Sequence, residues 1–119
     1  MSNCAFDPIA VVLDWLDACR ERRVGDLLDL YDGKASFRCA CEGLYQGREE
    51  LTNYWSTRLE RAVPYAFSLA DVAADDEGVE PGVALDYVAY DGTPVHMRFR
   101  FTMTGKIAAS ICSRIRKAA

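Results

Sequence analysis

Acid–base and nucleophilic chemistry in this chain can draw on few side chains. His96 is the one histidine, so multi-histidine metal sites are excluded and any Cys/His or Ser/His catalysis has a single base to use. Cysteine is the more abundant reactive type, at Cys4, Cys19, Cys39, Cys41 and Cys112. The odd count makes complete pairing within the chain impossible, and a reducing compartment would keep the thiols free. Only Cys39-Ala40-Cys41 is clustered. Its one-residue gap differs from the two-residue gap of zinc knuckles and redox motifs, and beyond Glu42 no second ligand group follows. No metal and no cofactor are expected, and the thiols read as small buried hydrophobes. The catalytic candidates that remain are Cys39, Cys41 and the Tyr54 hydroxyl. A thiolate at Cys39 would need a cation or helix end beside it, and Arg58 could supply the cation if its side chain turned inward.

The elements that must position these groups are legible in the apolar spacing. Asp7-Pro8 predicts a helix start, with aspartate capping the free amides and proline at the first helical position. Ile9, Val12, Leu13, Leu16 and Cys19 recur at helical spacing, with Val11 and Trp15 widening the face. A short second helix is expected through Leu27, Leu28, Leu30 and Tyr31, ended by Asp32-Gly33. Residues 35–41 alternate as a strand, with Ala35, Phe37, Cys39 and Cys41 on one face. After a turn at Glu42-Gly43 and a short extended piece, Gly47 opens a third helix. Its first turn carries Glu49 and Glu50, which suit the positive end of the dipole. Leu51, Trp55 and Leu59 line one side of that helix, and Pro64 closes it. Strands are predicted at about 65–73, 83–89, 94–103 and 106–115.

Two registers compete for the hairpin around Asp91-Gly92. A two-residue turn would pair Tyr90 with Thr93 and place Asp86 on the face of Met97. A three-residue loop with Gly92 left-handed pairs Ala89 with Thr93 instead. Val83, Leu85 and Tyr87 then share a face with Val95, Met97, Phe99 and Phe101, and Asp86 lies opposite His96 on the other side. The second register is expected, because a one-residue slip would bury an acid and expose apolar groups. Asp86 and His96 then form an outward cross-strand pair, with no serine or cysteine placed to complete a triad. The inward set of the last strand stays open between Ile107, Ala109, Ile111 and Ala108, Ser110, Cys112.

Composition bounds the rest. The 119 residues are half hydrophobic and 27% charged, the mix of a folded protein, and are expected to form a single domain over 1–119. No run of eighteen apolar residues is present, and Met1-Ser2-Asn3-Cys4 lacks the basic and apolar blocks of a signal peptide, so a cytoplasmic protein off the membrane is expected. Residues 1–91 hold all 18 acids and eight basic groups, whereas 92–119 hold six basic groups and no acid. That basic set is small and carries no recognised binding motif, so nucleic acid is not an expected partner.

The order of elements, three helices interrupted by a strand and then a four-stranded antiparallel run, resembles the nuclear transport factor 2-like superfamily. The resemblance is to its polyketide-cyclase-like (SnoaL-like) and ketosteroid-isomerase-like branches and covers about residues 8–115. Its carriers are the apolar first helix through Trp15, Asp26-Leu27-Leu28-Asp29-Leu30-Tyr31, Gly47-Arg48-Glu49-Glu50-Leu51 with Tyr54-Trp55, and Phe99-Arg100-Phe101 through Gly105-Lys106-Ile107. The resemblance implies an α+β cone, a curved antiparallel sheet wrapped around a long helix. It also implies an apolar pocket and a homodimer through the outer sheet face around His96, Arg98 and Arg100. The isomerase acid and base positions fall here on Trp15, Met97 and Cys39, where methionine cannot donate a hydrogen bond and a thiol replaces the carboxylate. That chemistry does not carry over. The expected pocket lining is Trp15, Phe37, Cys39, Tyr54, Trp55, Met97 and Phe99, which suits a small hydrophobic ligand. A pocket enzyme of the cyclase, isomerase or hydrolase type and an interaction or dimerisation module are the alternatives.

Overall fold

A computed structural model describes residues 6–39, 43–75 and 82–115. Three helices, α1 (Pro8–Arg20), α2 (Val24–Asp29) and α3 (Gly47–Glu60), accompany six strands. The strands are β1 (Tyr31–Cys39), β2 (Gly43–Gln46), β3 (Leu69–Ala74), β4 (Gly82–Val88), β5 (Pro94–Phe101) and β6 (Ile107–Arg114). They form one curved sheet in the order β2-β1-β6-β5-β4-β3, in which β1 and β6 run parallel and every other pair is antiparallel. The α+β cone expected from the sequence is therefore present. α1 packs on β3 and β4, and α3 on β1 and β2, so the helices occupy the hollow of the sheet.

α1 starts as its sequence dictates. The Asp7 carboxylate accepts from the backbone N–H of Ile9 (3.1 Å) and Ala10 (3.4 Å), with Pro8 just inside. Apolar packing then orders the core around Trp15, which is fully buried. Its indole meets the rings of Trp55, Tyr87 and Phe99 edge-on, with centroids 5.3–5.5 Å apart. Its Nε1 donates to the Tyr31 hydroxyl at 3.0 Å.

The predicted hairpin register is the one formed. Ala89 N–H donates to Thr93 O at 2.8 Å, Gly92 N–H to Ala89 O at 3.0 Å, and Gly92 has φ +91°. Asp86 pairs with His96, and Val83, Leu85, Tyr87, Val95, Met97, Phe99 and Phe101 are buried.

Two local expectations are corrected, and the open question of the last strand's inward set is answered. The second helix stops at Asp29, and Tyr31 to Gly33 belong to β1, because Ile107 N–H donates to Leu30 O (2.8 Å) and Tyr31 registers with Ile107. Sheet pairing there outweighs the turn preference of Asp32-Gly33, and a register shift before Ser36 absorbs the irregularity. Residues 65–68 form a turn instead of opening β3. Phe67 there has φ +62°, a costly conformation for a bulky residue. It is held because its ring is buried and Arg20 Nη1 donates to its carbonyl at 3.1 Å. In β6, a register shift between Arg100 and Phe101 pairs Arg100 with Ala109 and Phe101 with Ile107. Ile107 therefore faces in together with Ser110 and Cys112, one member of the first competing set and two of the second.

Candidate functional site

A half-enclosed cavity of about 160 Å³ lies at the open end of the cone. Alternation along β1 turns Phe37 and Cys39 into it, and α3 contributes Tyr54 and Trp55. Tyr87 of β4, Val95 of β5, and Cys112, Ser113 and Arg114 of β6 complete the sheet side, and Phe67 enters from its strained turn. The β4–β5 hairpin supplies the rim through Ala89, Tyr90, Asp91 and Thr93. The wall is thus mainly aromatic, with two thiols and a few polar groups at the mouth.

Phe37, Cys39, Tyr54 and Trp55 therefore stand where the sequence placed them. Trp15, Met97 and Phe99, expected in the lining, are instead fully buried core side chains that do not reach the cavity. The physical reason is depth, because α1 packs on β3 and β4 and its Trp15 meets the Phe99 ring edge-on at 5.3 Å, which closes these positions off within the core. Cys41 lies outside the described residues. Phe67, Tyr87, Tyr90, Cys112 and Arg114 were missed as lining. The hairpin register already pointed Tyr87 inward, while Cys112 was hidden by the shift in β6 and Phe67 by its turn.

On the far side of Tyr54 is an open groove edged by Leu44, Tyr45, Glu50, Asn53 and Arg58. The Arg58 guanidinium lies over the Tyr54 ring at 4.0 Å, a cation–π contact, and borders this groove instead of the cavity. It is not the cation that the Cys39 nucleophile reading asked for.

Deeper in the core, the Tyr31 hydroxyl gathers polar groups: it accepts from Trp15 Nε1, and the Trp55 indole and Ser110 hydroxyl lie beside it. Burial pushes the Tyr31 and Tyr87 hydroxyls and the Cys19 thiol well up from their ordinary values, so all three are neutral.

His96 and Asp86 face away from the cavity, with Nδ1 donating to Asp86 Oδ1 at 2.5 Å. Ser113 of β6 stands directly opposite His96 in the strand register. Among the described residues no hydrogen bond joins Ser113 to His96. The neighbouring Arg98 and Arg100 both donate to the buried Asp75 carboxylate, at 2.8 and 3.0 Å. Among the described residues no cluster of three His, Cys, Asp or Glu side chains is arranged to hold a metal ion, and no helix is long and apolar enough to cross a membrane.

Similar architecture recurs in solved structures. A SnoaL-like protein of unknown function from Burkholderia thailandensis superposes with a TM-score of 0.76 over 88% of this chain and 92% of its own, at 19% identity. The epoxide hydrolase/cyclase-like enzyme SalBIII, described for its role in pyran ring formation in the polyether salinomycin, gives 0.69 over 90% and 89% at 17% identity. The Orange Carotenoid Protein of Anabaena (Nostoc), solved binding canthaxanthin, gives 0.74 over 90% of this chain and 36% of its own, at 14% identity. No protein-family profile matches the sequence, and no curated protein matches it significantly. The chain has the nuclear transport factor 2-like fold. Within that class it shares its architecture with SnoaL-like proteins.

Proposed function

We propose that this protein binds a small apolar ring compound in the cavity at the open end of the cone, and works as a homodimer joined through the outer sheet face. The observation that carries the ligand reading is the cavity itself, about 160 Å³ walled by Phe37, Tyr54, Trp55, Phe67, Tyr87 and Tyr90. Dry apolar cavities of roughly 150 Å³ take up benzene, whereas drug-sized ligands occupy roughly 300–1,000 Å³. The size therefore favours one ring, or two small fused ones, over a carotenoid. Arg114 and Thr93 at the mouth are available to a single polar substituent.

The pocket-enzyme alternative takes second place. Asp91 is the one carboxylate on the described wall, and its Oδ1 already accepts from Thr93 N–H at 3.0 Å within the turn. Titration with benzene, phenol, indole and naphthalene, followed by tryptophan fluorescence and calorimetry, tests the ligand reading. Saturable binding by at least one of these is expected, and Ala89→Phe, which fills the cavity from its rim, should abolish it. No saturable binding by any probe, or binding untouched by Ala89→Phe, would overturn it.

A further inference from the structure

The register between β1 and β6 makes a pair that the cysteine spacing concealed. Cys39, the last residue of β1, stands directly beside Cys112 of β6. Both side chains line the same cavity, so both point to the same face of the sheet. Neighbouring strands lie about 4.7–4.9 Å apart, inside the roughly 4.4–6.8 Å that separates the Cα atoms of disulfide-bonded cysteines. From this geometry we propose that Cys39 and Cys112 are a redox-active dithiol in the cavity wall, closed to a disulfide by a low-molecular-weight disulfide of the glutathione type.

The two thiols differ in access, which sets their roles. Cys39 is partly exposed, whereas Cys112 is 8% exposed. The Cys39 thiolate attacks one sulfur of the oxidant, the S–S bond of the oxidant breaks, and one small thiolate leaves. Cys112 then gives its proton to solvent and attacks Cys39 Sγ, expelling the second small thiolate. Two protein thiols are oxidised and one small disulfide is reduced to two thiols. Arg114 on the same wall offers a cation to the carboxylates of such an oxidant. Cys19 takes no part, because it is buried in α1 away from the cavity and its thiol is held neutral.

The test is made on the full-length chain carrying Cys4→Ser and Cys41→Ser, with the unsubstituted chain treated in parallel. Each is incubated with glutathione disulfide, alkylated, digested and mapped by mass spectrometry. The expected result is the loss of two titratable thiols and a cross-linked peptide joining Cys39 to Cys112 in both proteins, with Cys19 still a thiol. A Cys39–glutathione adduct that never closes, a bridge to Cys41 in the unsubstituted chain, or unmodified Cys39 and Cys112 would each overturn the proposal. Bridge formation is read by the map alone. Only its consequence, a changed affinity for the ring compound, rests on the proposed ligand, so failure of one reading is distinguishable from failure of the other.

Discussion

At the scale of single residues, the densest physical demand falls on the Tyr31 hydroxyl. It sits in the core, accepts from Trp15 Nε1, and is held neutral by burial, as are Tyr87 and Cys19. Removing that oxygen leaves a buried indole N–H without its acceptor, which costs about 1–3 kcal/mol. Tyr31→Phe is therefore expected to lower the urea midpoint at neutral pH without changing the slope. The same burial fixes the sign of the pH dependence. In the unfolded chain a thiol ionises near 8.5 and a phenol near 10. Above those values the unfolded state binds fewer protons than the folded one, so stability falls as pH rises. Stability should be insensitive to these groups below about pH 8 and decline above it, less steeply in Tyr31→Phe because one such group is gone. Tyrosinate absorbance followed through alkaline unfolding checks it. Tyr31 and Tyr87 should ionise only with the unfolding transition, and either of them titrating in the folded chain would contradict it.

At the scale of elements, the β4–β5 hairpin carries the rim of the cavity, and its turn depends on Gly92. The residue has φ +91°, and a Cβ there would lie 2.7 Å from the Tyr65 hydroxyl. Gly92→Ala should cost more than about 1 kcal/mol and lower the melting temperature by roughly 3–6 °C. An unchanged melting temperature would mean that the turn relaxes at no cost. This hairpin is also where sequence reasoning reached furthest. Strict alternation on both strands made one register bury an acid, so Asp86, His96 and the inward aromatics could be placed by elimination. The same logic stalled on β6, where a register shift between Ile107 and Ala109 switches the inward face partway along, and alternation has no means of announcing a bulge. Phe67 was missed for a related reason, since a positive φ in a phenylalanine is imposed by tertiary packing. About half of the expected lining was therefore legible. Trp15, Met97 and Phe99 have the right face but the wrong depth, and depth depends on where α1 lies across the sheet.

At the scale of the whole molecule, the two faces of the sheet are unlike. The hollow face is filled by helices and closed around aromatic side chains, whereas the outer face is presented by Ala73, Ala84, Ala109, Ile111 and Leu44 among charged groups. Ile111 is 51% and Leu44 49% exposed, each adjoining Arg38 across a strand pair. The charges are segregated, with Asp71 and Asp86 toward the β3 edge and Arg38 toward the β2 edge. In the proposed homodimer, a two-fold axis parallel to the strands between β6 and β5 would set the acidic side of one copy against the basic side of the other while covering Ile111. Arg98 and Arg100 contribute less than their charge suggests, because both are already engaged by Asp75. Ile111→Glu should therefore disrupt the dimer more than Arg98→Ala, with neither altering the far-ultraviolet circular dichroism. Light scattering coupled to size-exclusion chromatography reads the outcome directly: a dimeric mass for the unsubstituted chain, a monomeric one for Ile111→Glu. A monomeric mass for the unsubstituted chain at every accessible concentration would refute the pairing. The cavity at the cone's open end would then have to be explained in an isolated protomer.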